Sequence, residues 1–452
     1  NCISKYLKFM IYFYSMKKVI WLFIFLLSIQ CSMLGAEELK KVYLDEAIDA
    51  ALKNNIDLKA AQIEINIAKN NIKSANRLQN PSLDAFYFLG GAGQSEPKQL
   101  GVSQEIEIAK RGARKKLAKS NLQLVQKNVD YTKFDLKMDV REAYINLVAA
   151  KSILHTLEQQ KLLQDELLEI AQTRSKAGKV PEIDVLQAEI ALNQMITQVN
   201  SAKVNVKTAL SSFNKIINDP NHITYDSMDK IFSEENNFDE MLTPPPDFEF
   251  PQFSEIVQKA IAKRFDIQIA KQQIDVAEKN LTVVARQRIP DISLVGGYAY
   301  QVGSQMDSGH FNSGAYAGAS LVNIPLFYNY SPEIQNAAYK LQQAELNYDS
   351  VKNKAIKDVS AAYEKFLTAV ENLNYYEKKI VKDSEELIEI SKDSYENGNS
   401  DITSLIVMKQ SYRSIIVGYT YALADYYNSW TNFLREVNDE NFDLPEEEVE
   451  EL

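Results

Sequence analysis

The chain has 452 residues, 61 acidic against 50 basic, for a net charge of −11. With only two cysteines and three histidines, a disulfide-stapled fold and a thiolate or histidine metal centre are poor descriptions of it. The acidic balance likewise argues against a nucleic-acid binder.

Met16-Lys17-Lys18 precede the apolar run VIWLFIFLLSI, followed by QCSMLGAEE. A basic start, an apolar stretch of this length and a small-residue cleavage site read as a signal peptide cut after Ala36. Residues 1–15 then read as translation upstream of the start. Two alternatives stay open for the run. One is a membrane anchor, for which it is short. The other is a lipoprotein signal using Cys31, where Gln30 stands in place of the expected small residue. Cleavage after Ala36 removes both cysteines and four lysines but no acid, which brings the net charge to about −15. No later apolar run approaches the roughly 20 residues of a membrane helix, so any membrane crossing must use strands.

From Leu44 a helix is predicted to Gln79, stopped by Pro81. Two short runs follow, PSLDAFYFLGG and KQLGVSQEIEI, read as a hairpin with its loop at 91–97. A long helix is expected from Arg111 to Lys176. Its apolar residues Val125, Val129, Leu136, Val140, Leu147 and Leu154 step by four and seven, the spacing of a coiled coil. At 1.5 Å per residue such a helix reaches about 100 Å. A turn at Gly178 and Pro181 leads into a return helix, Pro181 to Ile217. Gly suits a helix C-terminus and Pro a first helical turn. Residues 219–252 are polar and Pro-rich and read as an irregular linker.

The same order then recurs. A helix runs from Phe253 to Arg288 and stops before Pro290. A second hairpin, with its loop at 303–313, puts Ile292, Leu294, Tyr298 and Tyr300 on one face and Ser293, Gly297 and Gln301 on the other. A long helix carries Val359, Tyr363, Phe366, Val370 and Leu373. It turns at Gly398 and returns from Ile402 to Val437, and an acidic tail occupies 439–452. Pro81 and Pro290 are 209 residues apart, Tyr144 and Tyr363 are 219 apart, and Gly178 and Gly398 are 220 apart. The chain is therefore a duplication, 37–218 and 253–438. The expected fold is mainly α with a small β part: long antiparallel coiled-coil hairpins forming an α-barrel. The four strands of each chain are too few to close a membrane barrel alone. They are expected to be pooled among several copies in one trans-oligomeric β-barrel.

This duplicated helix–hairpin–helix pattern resembles the TolC family of outer-membrane efflux proteins. The family's tip pattern, a Gly followed six residues later by Asp and then by Leu-x-Ala, is matched by Gly178, Asp184, Leu186 and Ala188. The stretch Leu100 to Ala118 is most similar to the CzcC and CusC type of heavy-metal efflux component. Ser103-Gln104, Ile106-Glu107 and Lys110-Arg111 fit it, while Glu105 stands where Pro is common; the second copy keeps Pro325.

The resemblance implies a homotrimer with a twelve-stranded barrel in outer-membrane lipid. It implies helices in the periplasm whose tips meet a periplasmic adaptor and an inner-membrane RND-type pump. Export would be passive, without cofactor or chemistry, of heavy-metal cations or drugs. The tip and gate would comprise Arg174, Gly178, Asp184 and Leu186 in one turn, and Tyr395, Gly398, Asp401, Ser404 and Leu405 in the other. Asp184 also has a purely local reading, as a carboxylate favoured at a helix N-terminus. Ser404 and Val407 stand where the family's second set of gate acids falls, and Asp401 is close but out of register. Lys110-Arg111 and Arg114-Lys115-Lys116 read either as a solvated helix start or as a site for anionic head groups. His155, His222 and His310 fall in different elements and make no ligand set. Two rival readings are a periplasmic coiled-coil adaptor and a structural coiled-coil protein. The first predicts one hairpin without duplication, and the second lacks Pro-bounded strand pairs at matching places in both copies.

Overall fold

The computed structural model describes residues 39–87, 97–229, 252–301 and 313–440. The leader, most of the linker, most of both hairpin loops and the tail from 441 lie outside them. The first copy comprises β1 (Leu39–Val42), α1 (Leu44–Asn54), α2 (Ile56–Ala75), β2 (Ser82–Tyr87), β3 (Pro97–Ile106), α3 (Lys110–Lys176), α4 (Glu182–Ile217) and β4 (Thr224–Ser227). The second comprises α5 (Phe253–Lys263), α6 (Phe265–Ala285), β5 (Asp291–Gln301), β6 (Gly314–Val322), α7 (Ser331–Tyr375), α8 (Val381–Glu396) and α9 (Ile402–Val437). Among the described residues no helix is long and apolar enough to cross a membrane.

The duplication is visible in matched contacts. Tyr144 packs on Phe213 with ring centroids 5.8 Å apart, and Tyr363 on Phe433 at 6.2 Å. The first helix expected in each copy is in fact two helices, broken at Asn55 and Arg264, which have extended ψ of 123° and 126°. The break has a structural use. Asn55 Nδ2 donates to the Ile216 carbonyl at 2.8 Å, and the Arg264 guanidinium donates to the Glu436 carbonyl at 3.1 Å. Each satisfies a carbonyl near the end of a return helix, where no further turn supplies a partner. Asn218 and Asn438 then leave those helices with left-handed φ of 48° and 59°.

The two long helices differ by one residue. The second copy has one more between Tyr363 and Gly398 than the first has between Tyr144 and Gly178. A five-residue π-helical turn, Tyr376–Ile380, joins α7 to α8 in that interval. An extra residue in an α-helix would rotate everything beyond it by about 100°. The wide turn absorbs it and keeps the same faces inward on both sides.

The chain packs as two compact units that cut across the repeats. One contains the described residues of Asn1–Ile56, Val140–Phe238 and Glu385–Thr420, the other those of Asp57–Asp139, Asp239–Ser384 and Tyr421–Leu452. In the first unit, β1 and β4 form a parallel pair, so the segment read as an irregular linker contains a strand. Four residues are too few to show a pattern; the pairing is tertiary. Tyr144 lies buried beside it and donates its hydroxyl to Asp229 at 2.7 Å.

In the second unit Phe134 and Met138 of α3, Ile256 and Ala260 of α5, Val359 and Phe366 of α7, and Trp430, Phe433, Leu434 and Val437 of α9 form one core. The α9 residues recur at three, four and seven, one face of a helix. Trp430 is 2% exposed and lies 5.1 Å from Phe366 and 5.5 Å from Phe433 between ring centroids. Trp430→Ala is expected to cost about 3–5 kcal/mol, read as a lower melting temperature of the purified protein.

The strands of this unit form one antiparallel sheet in the order β2-β3-β5-β6. The central pairing joins the two copies: Gly101 lies opposite Gly297, and Gly297 opposite Tyr316. The expected alternation holds. Leu83, Leu100, Val102, Leu294, Tyr298 and Leu321 share one exposed face by register. Ser82, Asp84, Gln99, Ser103, Glu105, Ser293 and Ser320 share the other, together with Phe86, Val295, Tyr316 and Val322.

Candidate functional site

The two helical turns belong to the same unit and are built alike. At the end of α3, Gly178 has φ +68°; at the end of α8, Gly398 has φ +75°. Gly178 N–H donates to the Ser175 carbonyl and Lys179 N–H to that of Arg174, both at 2.9 Å. Gly398 N–H donates to Tyr395 at 3.1 Å, and Asn399 N–H to Ser394 at 2.8 Å. This pair of bonds is a Schellman motif, which satisfies the last carbonyls of a helix and needs a left-handed residue where Gly stands.

The helices that follow start differently. In α4, Pro181 holds the N-cap position without a side-chain bond, and Asp184 lies in the first turn, where a carboxylate favours the N–H end of the dipole. In α9, Asp401 takes the position of Pro181 and accepts the Ser404 N–H at 2.8 Å. The acid that seemed out of register is therefore the helix cap, and Ser404 replaces Asp184 three residues on. Hydrogen bonding from Ser404 holds the Asp401 carboxyl below the usual aspartate range. A lowered folded value means that the cap contributes fully above the unfolded pKa of about 3.9. The contribution is lost as pH falls through the lowered value. Asn caps as well as Asp. Hydrogen-exchange protection at Ser404, taken relative to the intrinsic rate at each pH, is thus expected to fall in acid for the wild type, to stay level for Asp401→Asn, and to be low throughout for Asp401→Ala.

Arg174 and Tyr395 join the turns. The Arg174 guanidinium lies over the Tyr395 ring at 4.7 Å and donates to the Tyr395 carbonyl at 3.2 Å. Tyr395 is 4% exposed. Burial pushes its hydroxyl pKa up, against the opposing pull of Arg174, and Asp184 adds to the rise. Beneath them Leu167 and Ala171 of α3, Ala188 of α4, and Ile402, Leu405 and Ile406 of α9 pack with Tyr395 in one apolar cluster. Thr403 Oγ1 donates to Gln187 Oε1 at 2.9 Å. Arg174, Asp184, Tyr395 and Leu405 are thus brought together. Leu186 is not: it is 57% exposed, in line with exposed Ile183 and Ile190 at helical spacing. Of the cluster, Ala188, Tyr395 and Leu405 stood out in the sequence. Leu167, Ala171 and Ile406 carry ordinary helical periodicity and gave no separate signal.

Part of the basic run after β3 is paired within the chain, while Lys116 stays exposed. Lys110 is buried and bonds Asp291 at 2.5 Å, Arg114 forms a two-pronged pair with Glu107, and Arg111 reaches Asn76 at 3.4 Å. Asn323 donates to Glu105 at 2.7 Å and to Asp291 at 3.2 Å, so the departure to Glu at 105 is used in tying β3 to the end of β6. Among the described residues no group of three His, Cys, Asp or Glu side chains is placed to hold a metal ion.

The family model described as outer membrane efflux protein matches residues 47–219 and 256–433, one match for each copy. The chain is 22% identical over 335 residues to "Outer membrane efflux protein BepC" of Brucella suis biovar 1 (strain 1330), covering 71% of this chain and 69% of that protein. Its fold is similar to the CmeC outer membrane channel of Campylobacter jejuni, with TM-score 0.72, 19% identity, and coverage of 89% of this chain and 87% of that one. It is also similar to CusC, with TM-score 0.71, 14% identity, and coverage of 88% of this chain and 92% of that one. The match spans both copies and most of the chain, and the fold agrees with it: the chain belongs to the outer membrane efflux protein family.

Proposed function

We propose that the chain is the exit duct of a tripartite efflux system. The observation that carries this is the open four-stranded sheet. Its edges β2 and β6 have no partner strand among the described residues, and one of its faces is apolar and exposed. In lipid, edge N–H and C=O groups must be paired, which only closure achieves. Three copies joined β6 to β2 would make a barrel of twelve strands. The turns Arg174 to Leu186 and Tyr395 to Leu405 would be the periplasmic tips. There the exposed Ile183, Leu186 and Ile190 would meet the adaptor, with an RND-type pump beyond it. Export needs no chemistry from this chain. The similarity of Leu100 to Ala118 to CusC-type proteins motivates heavy-metal cations as cargo, with drugs as the second class.

Native mass spectrometry in detergent is expected to show a trimer, and gels an unboiled oligomeric band in the outer-membrane fraction. A soluble monomer would overturn the reading. Deletion strains should become more sensitive to metal cations than to hydrophobic drugs if the cargo assignment holds, and the reverse order would reject it.

A further inference from the structure

A second polar site lies in the tip-bearing unit, between α3, α4 and α9. It is lined by Gln160 and Gln164 of α3, Gln194 and Met195 of α4, and Lys409, Gln410 and Arg413 of α9. Lys409 and Arg413 are one helical turn apart, where like charges repel. Neither has a carboxylate within ion-pair distance among the described residues. Lys409 Nζ donates to the Leu163 carbonyl at 3.2 Å, and Arg413 reaches only the Met195 sulfur at 4.0 Å, a weak acceptor. Burial lowers the pKa of both; Lys392 of α8 lowers that of Lys409 further, and Glu166 only partly offsets this. Gln164 is 6% exposed, and its buried Nε2 donor has no partner. Two cations without a carboxylate partner and a buried amide donor without an acceptor are costly, and no acidic side chain lines the space. It measures about 10 Å³, room for a single water-sized occupant.

We propose that this pocket binds one small monovalent anion of the halide class, held by Lys409, Arg413 and Gln164. The anion supplies the negative charge that Lys409 and Arg413 lack and the acceptor that Gln164 Nε2 lacks, and it cancels the repulsion along α9, fastening that helix to the α3–α4 hairpin. A polyatomic anion such as phosphate is too large for the space. The site does not depend on the exit-duct reading, because all its walls come from one chain.

The test uses the full-length purified protein. Crystals soaked in bromide should show an anomalous peak within about 3.5 Å of Arg413 and Lys409. Replacing gluconate by chloride at constant ionic strength should slow hydrogen exchange in residues 406–413 roughly tenfold when chloride is in tenfold excess over its dissociation constant. Arg413→Met should abolish that chloride effect. Gln164→Glu should supply the negative charge internally, giving slow exchange in gluconate and no response to chloride. The proposal is overturned if no bromide binds and wild-type exchange is the same in both salts. It is equally overturned if the crystals show a carboxylate from a neighbouring subunit on Arg413.

Discussion

Gly178→Pro is expected to abolish export while leaving protein abundance in the outer membrane at the wild-type level. Proline fixes φ near −65°, whereas Gly178 sits at +68°. It also removes the N–H that bonds Ser175. The turn must then open, and Arg174, whose carbonyl closes the same motif, loses its place over Tyr395. A side chain added at Gly178 would meet nothing within 4 Å, so crowding plays no part and backbone conformation alone sets the effect. Asn, which tolerates the left-handed region, should therefore export nearly as well as Gly. Ala should be intermediate, at a cost of about 1–2 kcal/mol, and Pro should be inactive. Gly398, also free of neighbours, should show the same series. An export assay at matched abundance decides the matter. If Gly178→Pro exports like the wild type, the turn is not the working tip.

Gly297→Val is expected to have the opposite signature: loss of the oligomeric outer-membrane form altogether. A Cβ there would lie 2.4 Å from the Leu100 carbonyl oxygen and 2.7 Å from Gly101 Cα. Both are backbone atoms of the adjacent strand and cannot move without separating β3 from β5, the pairing that joins the two copies. At Gly101 the nearest obstacle is instead the Tyr316 hydroxyl at 2.4 Å, the end of a side chain that can rotate. Gly101→Ala should thus be assembled with a lowered melting temperature. The measurement is the unboiled band together with surface abundance. A stable Gly297→Val oligomer would mean that the β3–β5 register is not as described. Equal damage from Gly101→Ala would mean that Tyr316 cannot yield.

Much of this architecture is a local property of the chain. Helix–turn–helix order, the strand alternation through Ile292, Leu294 and Tyr298, and the turns at Gly178 and Gly398 follow from side-chain periodicity and from glycine's access to positive φ, and each acts over a few residues. The duplication was legible because its markers, Pro81 with Pro290 and Gly178 with Gly398, are residues whose backbone roles cannot be exchanged for others. Tertiary structure decided the rest. The breaks at Asn55 and Arg264 depend on carbonyls at Ile216 and Glu436, more than 150 residues away in sequence. The β1–β4 pair has strands too short to show a pattern. The role of Asp401 emerged only once the helix start was located, because a cap is defined by which amide it faces. Burial of Leu405 and exposure of Leu186, two leucines in matching turns, was likewise undecidable from periodicity. Which face of a helix turns inward is set by its neighbours, and α4 and α9 meet different ones.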